Sequence, residues 1–263
     1  MANGTQAISR ALQILKAFDD DNPQWDLMQL VEATGLNKTT VHRILGALEN
    51  EGLVERTVTG AYQLGSEMIA LGGRAARVNN LRRVAHDHLA QLAQATGETV
   101  TLEVLRRDGD GCGYMLVIDE VLGRHLVGIT QYIGTRLPLH ATSTGKAILA
   151  YLPPHEHRDL LAANLPPFTG RTFTTPERLE AELIDTSERG YSVCIGELEE
   201  GLIAIGAPIC NVERRVQAAI CLVGPSVRLD TETVSHLAER VKATAEAISH
   251  QIGYRPPSLE VKE

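Results

Sequence analysis

Between Gly35 and Leu48 the chain carries Lys38, Thr39, Thr40, His42 and Arg43 and not one carboxylate. Two cations, an imidazole and two hydroxyls on one short helix suit a phosphate backbone and the base edges of a DNA major groove. Asn37 is a good N-cap for such a helix, because its side-chain oxygen accepts a free backbone N–H of the first turn. Leu36 before the cap and Val41 after it fit a hydrophobic staple. Val41, Ile44, Leu45 and Leu48 then form an apolar stripe with the 3.6-residue period of a helix packed on a core. The opposite face carries Thr39, His42, Arg43, Gly46 and Asn50. On this reading Arg43 and His42 reach base edges, while Lys38, Thr39 and Thr40 meet phosphate. An amphipathic helix alone is ordinary, so its neighbours decide the matter.

Those neighbours agree. Ile8, Ala11, Leu12, Leu15 and Phe18 predict a first helix from about residue 5, closed by the acids at 19–21 and by Pro23. Asp26 with Gln29 three residues on predicts a capping box, opening a second helix with Leu27, Leu30 and Val31 inward. The turn Thr34-Gly35-Leu36 joins it to the polar-faced helix, which makes a helix-turn-helix. Residues 53–56 and 61–64 read as two short strands around a Gly-bearing turn, a β-hairpin wing. Arg56, Thr57 and Thr59 on that wing are placed to reach the sugar-phosphate edge or the minor groove.

At 263 residues the chain suits one large domain or two ordinary ones. A hydrophobic share of 43% with 22% charged residues is a soluble globular composition. No apolar run approaches the roughly 18 residues of a membrane span, and residues 1–9 lack the pattern of a signal peptide. Cys112, Cys194, Cys210 and Cys221 show no CxxC spacing, which fits reduced thiols in a cytosol. The net charge of −8 runs against a broad nucleic-acid surface. Up to residue 64, Arg10, Lys16, Lys38, Arg43 and Arg56 face eight acids, but those acids flank the 35–48 stretch rather than enter it. Binding should therefore rest on a few well-placed contacts and on more than one copy of the domain.

The second half changes character. Residues 66–80 read as a linker helix, and 81–96 as a helix ended by Gly97. Strand-like periods follow at 99–105, 114–118, 126–130, 137–140, 203–208 and 216–223, with helices at 144–152, 179–189 and 231–252. Grouped strands with helices at both ends predict an α+β domain on an antiparallel sheet. Ser143-Thr144-Gly145 stands at the start of a helix, where free N–H groups and hydroxyls favour an anion such as a carboxylate.

Catalysis finds no support. Ser143 lacks a GxSxG elbow. His155-Glu156-His157 is not HExxH, and i, i+2 spacing on a helix separates the imidazoles, as it does for His86 and His88. His125 and His140 read as surface or hydrogen-bonded residues. No catalytic residue, metal ligand or cofactor is assigned.

Four segments together resemble the IclR family of bacterial transcriptional regulators, over residues 7–252. They are GLNKTTVHRILGALENEGLVER with AYQLG, then LPLHATSTGKAILAYLP, RGYSVCIGELEEGLIAIGAPI and AAICLVGPSVRL. The resemblance implies an N-terminal winged helix-turn-helix, a linker helix and a GAF-like effector-binding domain with an antiparallel sheet. The expected boundaries are 1–65, 66–80 and 81–254, with a loose tail at 255–263. The family also implies dimers, often tetramers, on palindromic or repeated operators. Paired recognition helices about 34 Å apart meet successive major grooves. The partners implied are double-stranded operator DNA, a small-molecule effector and further copies of the chain. The location implied is the bacterial cytoplasm, at the nucleoid when bound to DNA.

By resemblance, effector-lining positions map to Ser143, Thr144, Cys194, Ala204, Cys221 and Val223, beside Gly145. Here the chain departs from the family's pattern. Members that bind small acids commonly carry an acid at the position of Cys194, a cysteine at Ala204, and serines at Cys221 and Val223. Losing such polar partners costs a small polar ligand about 1–3 kcal/mol per unmet group. The expected effector is therefore a partly apolar molecule, an aromatic or aliphatic acid or a lactone from a catabolic pathway, rather than glyoxylate. The competing reading is a thiol-based redox sensor that uses Cys194 and Cys221.

Overall fold

The chain divides into two units, Met1–Val78 and Asn79–Glu263. A computed structural model describes residues 3–19, 21–108, 111–125, 132–161 and 165–255. The first unit runs α1 (Asn3–Leu15), β1 (Gln24–Trp25), α2 (Leu27–Thr34), α3 (Lys38–Asn50), β2 (Val54–Arg56), β3 (Tyr62–Leu64) and α4 (Ser66–Val78).

Local chemistry sets the helix starts. Asp26 accepts the Gln29 backbone N–H at 2.8 Å while the Gln29 side chain accepts that of Asp26, the reciprocal capping box read in the sequence. Gly35, at φ +66°, closes α2 with its N–H on the Val31 carbonyl. Asn37 Oδ1 then accepts the Thr40 N–H at 2.8 Å and starts α3. Ile14, Leu30, Val41, Leu45 and Val54 are wholly buried, so all three helices and the wing share one core. The wing is larger than the expected hairpin: β1 pairs antiparallel with β3, giving the order β1-β3-β2. A strand of two residues has no alternation to read, which is why the sequence concealed it. No residue of α4 is buried.

The second unit runs α5 (Asn80–Thr96), β4 (Thr99–Arg107), β5 (Gly113–Val121), β6 (Arg136–Pro138), α6 (Ser143–Leu149), α7 (Pro154–Leu160) and α8 (Pro176–Arg189). It continues with β7 (Ser192–Ile195), β8 (Leu202–Cys210), β9 (Val216–Pro225) and α9 (Thr231–Gln251). The strands form a six-stranded sheet, β6-β5-β4-β9-β8-β7, antiparallel at every pairing. This is the expected α+β fold. The strand expected at 126–130 lies outside the described residues. Two elements exceed the sequence reading. Strand β7 occupies 192–195, and helix α7 begins at Pro154, since proline at the first helical position sacrifices no internal hydrogen bond.

Both faces of the sheet are covered. Leu89 of α5 and Val241 and Ile248 of α9 pack with Leu102, Ile205, Ile220 and Leu222 on one side. Ile148 and Leu149 of α6 and Leu179 of α8 pack with Met115 and Val117 on the other. Strand β4 therefore alternates: Val100, Leu102 and Val104 enter the first core, while Thr99, Thr101 and Glu103 turn towards α6. A site can form on that second face because it is lined by polar groups yet roofed by a helix. No helix among the described residues is long and apolar enough to cross a membrane.

Candidate functional site

On α3 the buried stripe is the expected Val41, Ile44, Leu45 and Leu48, and it leaves Lys38, Thr39, His42 and Arg43 exposed with Thr40 half-buried. Among the described residues no hydrogen bond or ion pair engages the Lys38, His42 or Arg43 side chain. Gly46 keeps this face thin, with nothing within 4 Å of where a side chain would begin. Beyond its extra strand, the wing differs from expectation at Arg56. Arg56 is turned back on its own unit, its Nε 3.4 Å from Glu49 and its guanidinium 4.8 Å from the Tyr62 ring centre. An exposed pair of that kind contributes at most about 1 kcal/mol, so phosphate can compete for the arginine. Thr57 and Thr59 share a 2.8 Å hydrogen bond across the turn, and Val58 stands fully exposed at its tip.

The other site lies between α6 and the sheet. Cys194 on β7, Ala204 on β8, Val223 on β9 and Thr99 on β4 stand in register across four strands. One step away Ser192, Gly206, Cys221 and Thr101 form a second row. Gly206 is what lets α6 sit down on this surface. A Cβ there would lie 2.6 Å from the Ser143 carbonyl carbon and 2.8 Å from the Thr144 nitrogen. The Ser192 hydroxyl, from below, donates to the Ser143 carbonyl.

This arrangement forms a half-open cavity of about 40 Å³, room for roughly three waters at about 10–15 Å³ each. Ser143, Thr144, Cys194, Ala204, Cys221 and Val223 all line it. Gly145 does not. Its missing side chain instead allows close packing, for a Cβ would lie 2.2 Å from the Leu139 carbonyl oxygen. Three carboxylates also line the cavity, Glu103, Glu197 and Glu199, along with Leu137, Leu198 and Leu202. The sequence reading missed all three acids. Only Glu103 left a signal, as a charged residue in phase with Thr99 and Thr101 on a strand buried on both faces.

The charges of this cavity run opposite to the anion expected at Ser143-Thr144-Gly145. The Gly145 N–H is already capped by Thr142 Oγ1 at 3.2 Å. The Thr144 hydroxyl donates to Glu103, and the Ser143 hydroxyl lies 3.5 Å from Cys221 Sγ. Two of the donors that were to greet a carboxylate, the Gly145 N–H and the Thr144 hydroxyl, are thus engaged within the protein, and no Lys, Arg or His lines the space. Glu103 is 1% exposed and takes a second hydrogen bond from Thr101 at 2.8 Å. Burial pushes its carboxyl above the usual range, against the pull of the two hydroxyls.

Behind the lining, Lys146 is wholly buried, with its Nζ 2.7 Å from Glu197 Oε1, 3.1 Å from the Val193 carbonyl and 4.9 Å from the Phe173 ring centre. Burial also raises both thiols, with the Glu103 carboxyl adding to the effect on Cys221 and the Lys146 charge opposing it on Cys194. Thiols so held carry little thiolate, which disfavours the redox reading. Both cysteines are free and behave as small buried hydrophobes.

Comparison with known proteins finds relatives for both units. The family model for the bacterial transcriptional regulator IclR C-terminal region matches residues 73–250, and that for the IclR helix-turn-helix domain matches residues 7–57. The chain is 34% identical over 255 residues to the HTH-type transcriptional regulator KipR of Bacillus subtilis, covering 97% of this chain and 100% of that one. It is 30% identical over 250 residues to the transcriptional repressor IclR of Escherichia coli, covering 94% and 90%. Among solved structures, an IclR-type regulator from Alicyclobacillus acidocaldarius superposes with a TM-score of 0.84 at 28% identity, covering 94% and 99%. An IclR homolog from Microbacterium hydrocarbonoxydans, solved in complex with 4-hydroxybenzoate, superposes at 0.78 with 26% identity, covering 94% and 98%. With a helix-turn-helix unit and an effector-type unit both matched along their length, this chain belongs to the IclR family of DNA-binding transcriptional regulators.

Proposed function

We propose that the protein represses or activates transcription by placing α3 in the major groove of an operator, and that a small molecule in the α6 cavity changes that binding. The observation that carries this reading is the exposed, carboxylate-free face of Lys38, Thr39, His42 and Arg43 on a helix whose other side is wholly committed to the core. Arg43 and His42 read base edges, Lys38, Thr39 and Thr40 hold phosphate, and Arg56, Thr57 and Thr59 follow the groove edge. The effector sits among Ser143, Thr144, Cys194, Ala204, Cys221 and Val223. Its body is partly apolar, as Ala204, Val223, Leu137 and Leu202 require. The sequence pointed to a catabolic aromatic or aliphatic acid or a lactone; the three acids on the lining favour a head that is not a carboxylate, and a relative's 4-hydroxybenzoate complex supports an aromatic size only. A body of that size needs the cavity to widen on binding. The protein acts in the bacterial cytoplasm and is not an enzyme.

The working form is a dimer or tetramer. Exposed apolar side chains support this: Ile8 and Leu12 on α1 are 64% and 51% exposed, and Ile69 on α4 is 80% exposed. The linker expected at 66–80 is helix α4, which stops at Val78 because Asn79 caps the next helix, and α4 acts as the coupling helix. Effector binding favours one arrangement of these helices in the assembly, and hence one spacing of the wings. A tenfold change in operator affinity needs only about 1.4 kcal/mol of differential binding.

The test is selection of operator sequences from a random DNA pool by the full chain, followed by titration with candidate effectors. The expected result is enrichment of a repeated or palindromic site and a ligand-dependent change in its affinity. Val223→Trp, which fills the cavity, is expected to lose the ligand response. Recovery of no preferred sequence would refute the groove assignment.

A further inference from the structure

We infer that the cavity grips the head of its ligand through hydrogen bonds that the ligand donates, O–H or N–H, to Glu103 and Glu197, and that it rejects carboxylates. This rests on the reading of the cavity as the effector site and specifies the chemistry that the site selects.

The first observation is the balance of donors and acceptors. A carboxylate offers about four acceptor positions. Glu103 uses one for the Thr101 hydroxyl and one for the Thr144 hydroxyl, and the rest have no protein donor to meet them. The second observation is independent of the first. Glu197 is 6% exposed, its Oε1 takes the Lys146 ammonium, and its Oε2 is buried without a hydrogen-bond partner. The thiol of Cys194, a weak donor, is the polar neighbour of that carboxyl. A buried acceptor left unmet costs free energy, and such atoms in folded proteins are few. A donor arriving from the cavity would satisfy it.

The third observation is the sign of the field. Glu103, Glu197 and the exposed Glu199 all line the space, and Lys146 neutralises only one of them, from behind. A ligand carboxylate would meet Glu199 and the Lys146-paired Glu197 with no cation on the lining to receive it, which is how a site excludes a competitor. A hydroxyl or an amino group meets acceptors on both sides. Leu137, Ala141, Leu198, Leu202, Ala204 and Val223 then hold the apolar body.

The experiment is calorimetric titration of the full-length protein with matched probes: isobutanol, isobutylamine and isobutyrate, then benzyl alcohol, benzylamine and benzoate. The alcohol or the amine should bind, and the carboxylate of the same body at least about tenfold more weakly. Preference for the amine would mean that Glu103 binds as the anion, and preference for the alcohol that it binds as the acid; both support the inference. Glu103→Gln should narrow the gap by admitting the carboxylate. Should that variant fail to fold, the ranking of probes on the wild-type chain decides alone. A carboxylate that binds as tightly as its alcohol and amine overturns the inference, as does the absence of binding by every donor probe. Val223→Trp separates this from failure of the site itself. If it abolishes carboxylate binding, the cavity stands and only the donor preference falls. If binding is indifferent to it, the cavity is not the effector site.

Discussion

The Lys146 ammonium, with no exposed surface, lies 2.7 Å from Glu197 Oε1 and so ties α6 to the segment after β7 that walls the cavity. Burial alone would lower the lysine's proton affinity, but Cys194, Glu197 and Glu182 together outweigh it and hold the pKa above the usual range. Because the folded-state value is raised, the lysine's contribution is fully present at neutral pH and is lost only as pH climbs through that alkaline value. Lys146→Met should cost about 3–5 kcal/mol by stranding a buried charge. The double variant with Glu197→Gln should recover much of that loss. Urea unfolding of the three variants at neutral pH measures the coupling, and strict additivity would dismiss it.

Glu103 makes the opposite prediction for pH. Its carboxyl is pushed up by burial, so the folded state favours the protonated form more than the unfolded chain does. Its contribution is therefore fully present below the ordinary glutamate range, about pH 4.3, and is lost as pH rises through the folded-state value. Glu103→Gln removes that dependence. The variant should melt higher than the parent at neutral pH, with the advantage shrinking as the solution is acidified. Thermal melts of both chains across the acid-to-neutral range check the sign.

Gly206 sits where a Cβ would strike the first turn of α6. Gly206→Ala should lift that turn, at a cost of about 1–3 kcal/mol from overpacking. Denaturant midpoints report the stability, and loss of ligand response would accompany it. An unchanged midpoint would show that α6 is not seated by this contact.

At the DNA face, Arg43→Ala should cost about 1–3 kcal/mol at a selected operator and relax preference at the base it reads. Thr39→Ala should cost less. Lys38→Ala should weaken all sequences alike and reduce the salt dependence of binding by about one ion. Fluorescence anisotropy at several salt concentrations separates these effects. Full affinity in both Arg43→Ala and Thr39→Ala would place the groove contact elsewhere.

Cys194 and Cys221 give a further contrast. Burial raises both thiols, so a mild oxidant should leave operator binding unchanged, and Cys194→Ser should be equally insensitive. Oxidant-dependent release from DNA that Cys194→Ser abolishes would reinstate the redox reading.

The amino-acid sequence by itself determined whatever depends on near neighbours. Asn37 caps α3 and Asp26 pairs with Gln29 because those contacts span three residues. The stripe from Val41 to Leu48 is a helical period, so both the buried side and the exposed face of α3 were legible without coordinates. The sheet's cavity could not be read that way. Cys194, Ala204, Val223 and Thr99 become one row only through strand register, and Glu103 meets Thr144 across 41 residues of chain. The helix start at Ser143 looked ready for an anion because its free N–H groups are a local property. That Glu103 already occupies the Thr144 hydroxyl, and that no cation lines the cavity, are properties of packing, which tertiary structure alone decided.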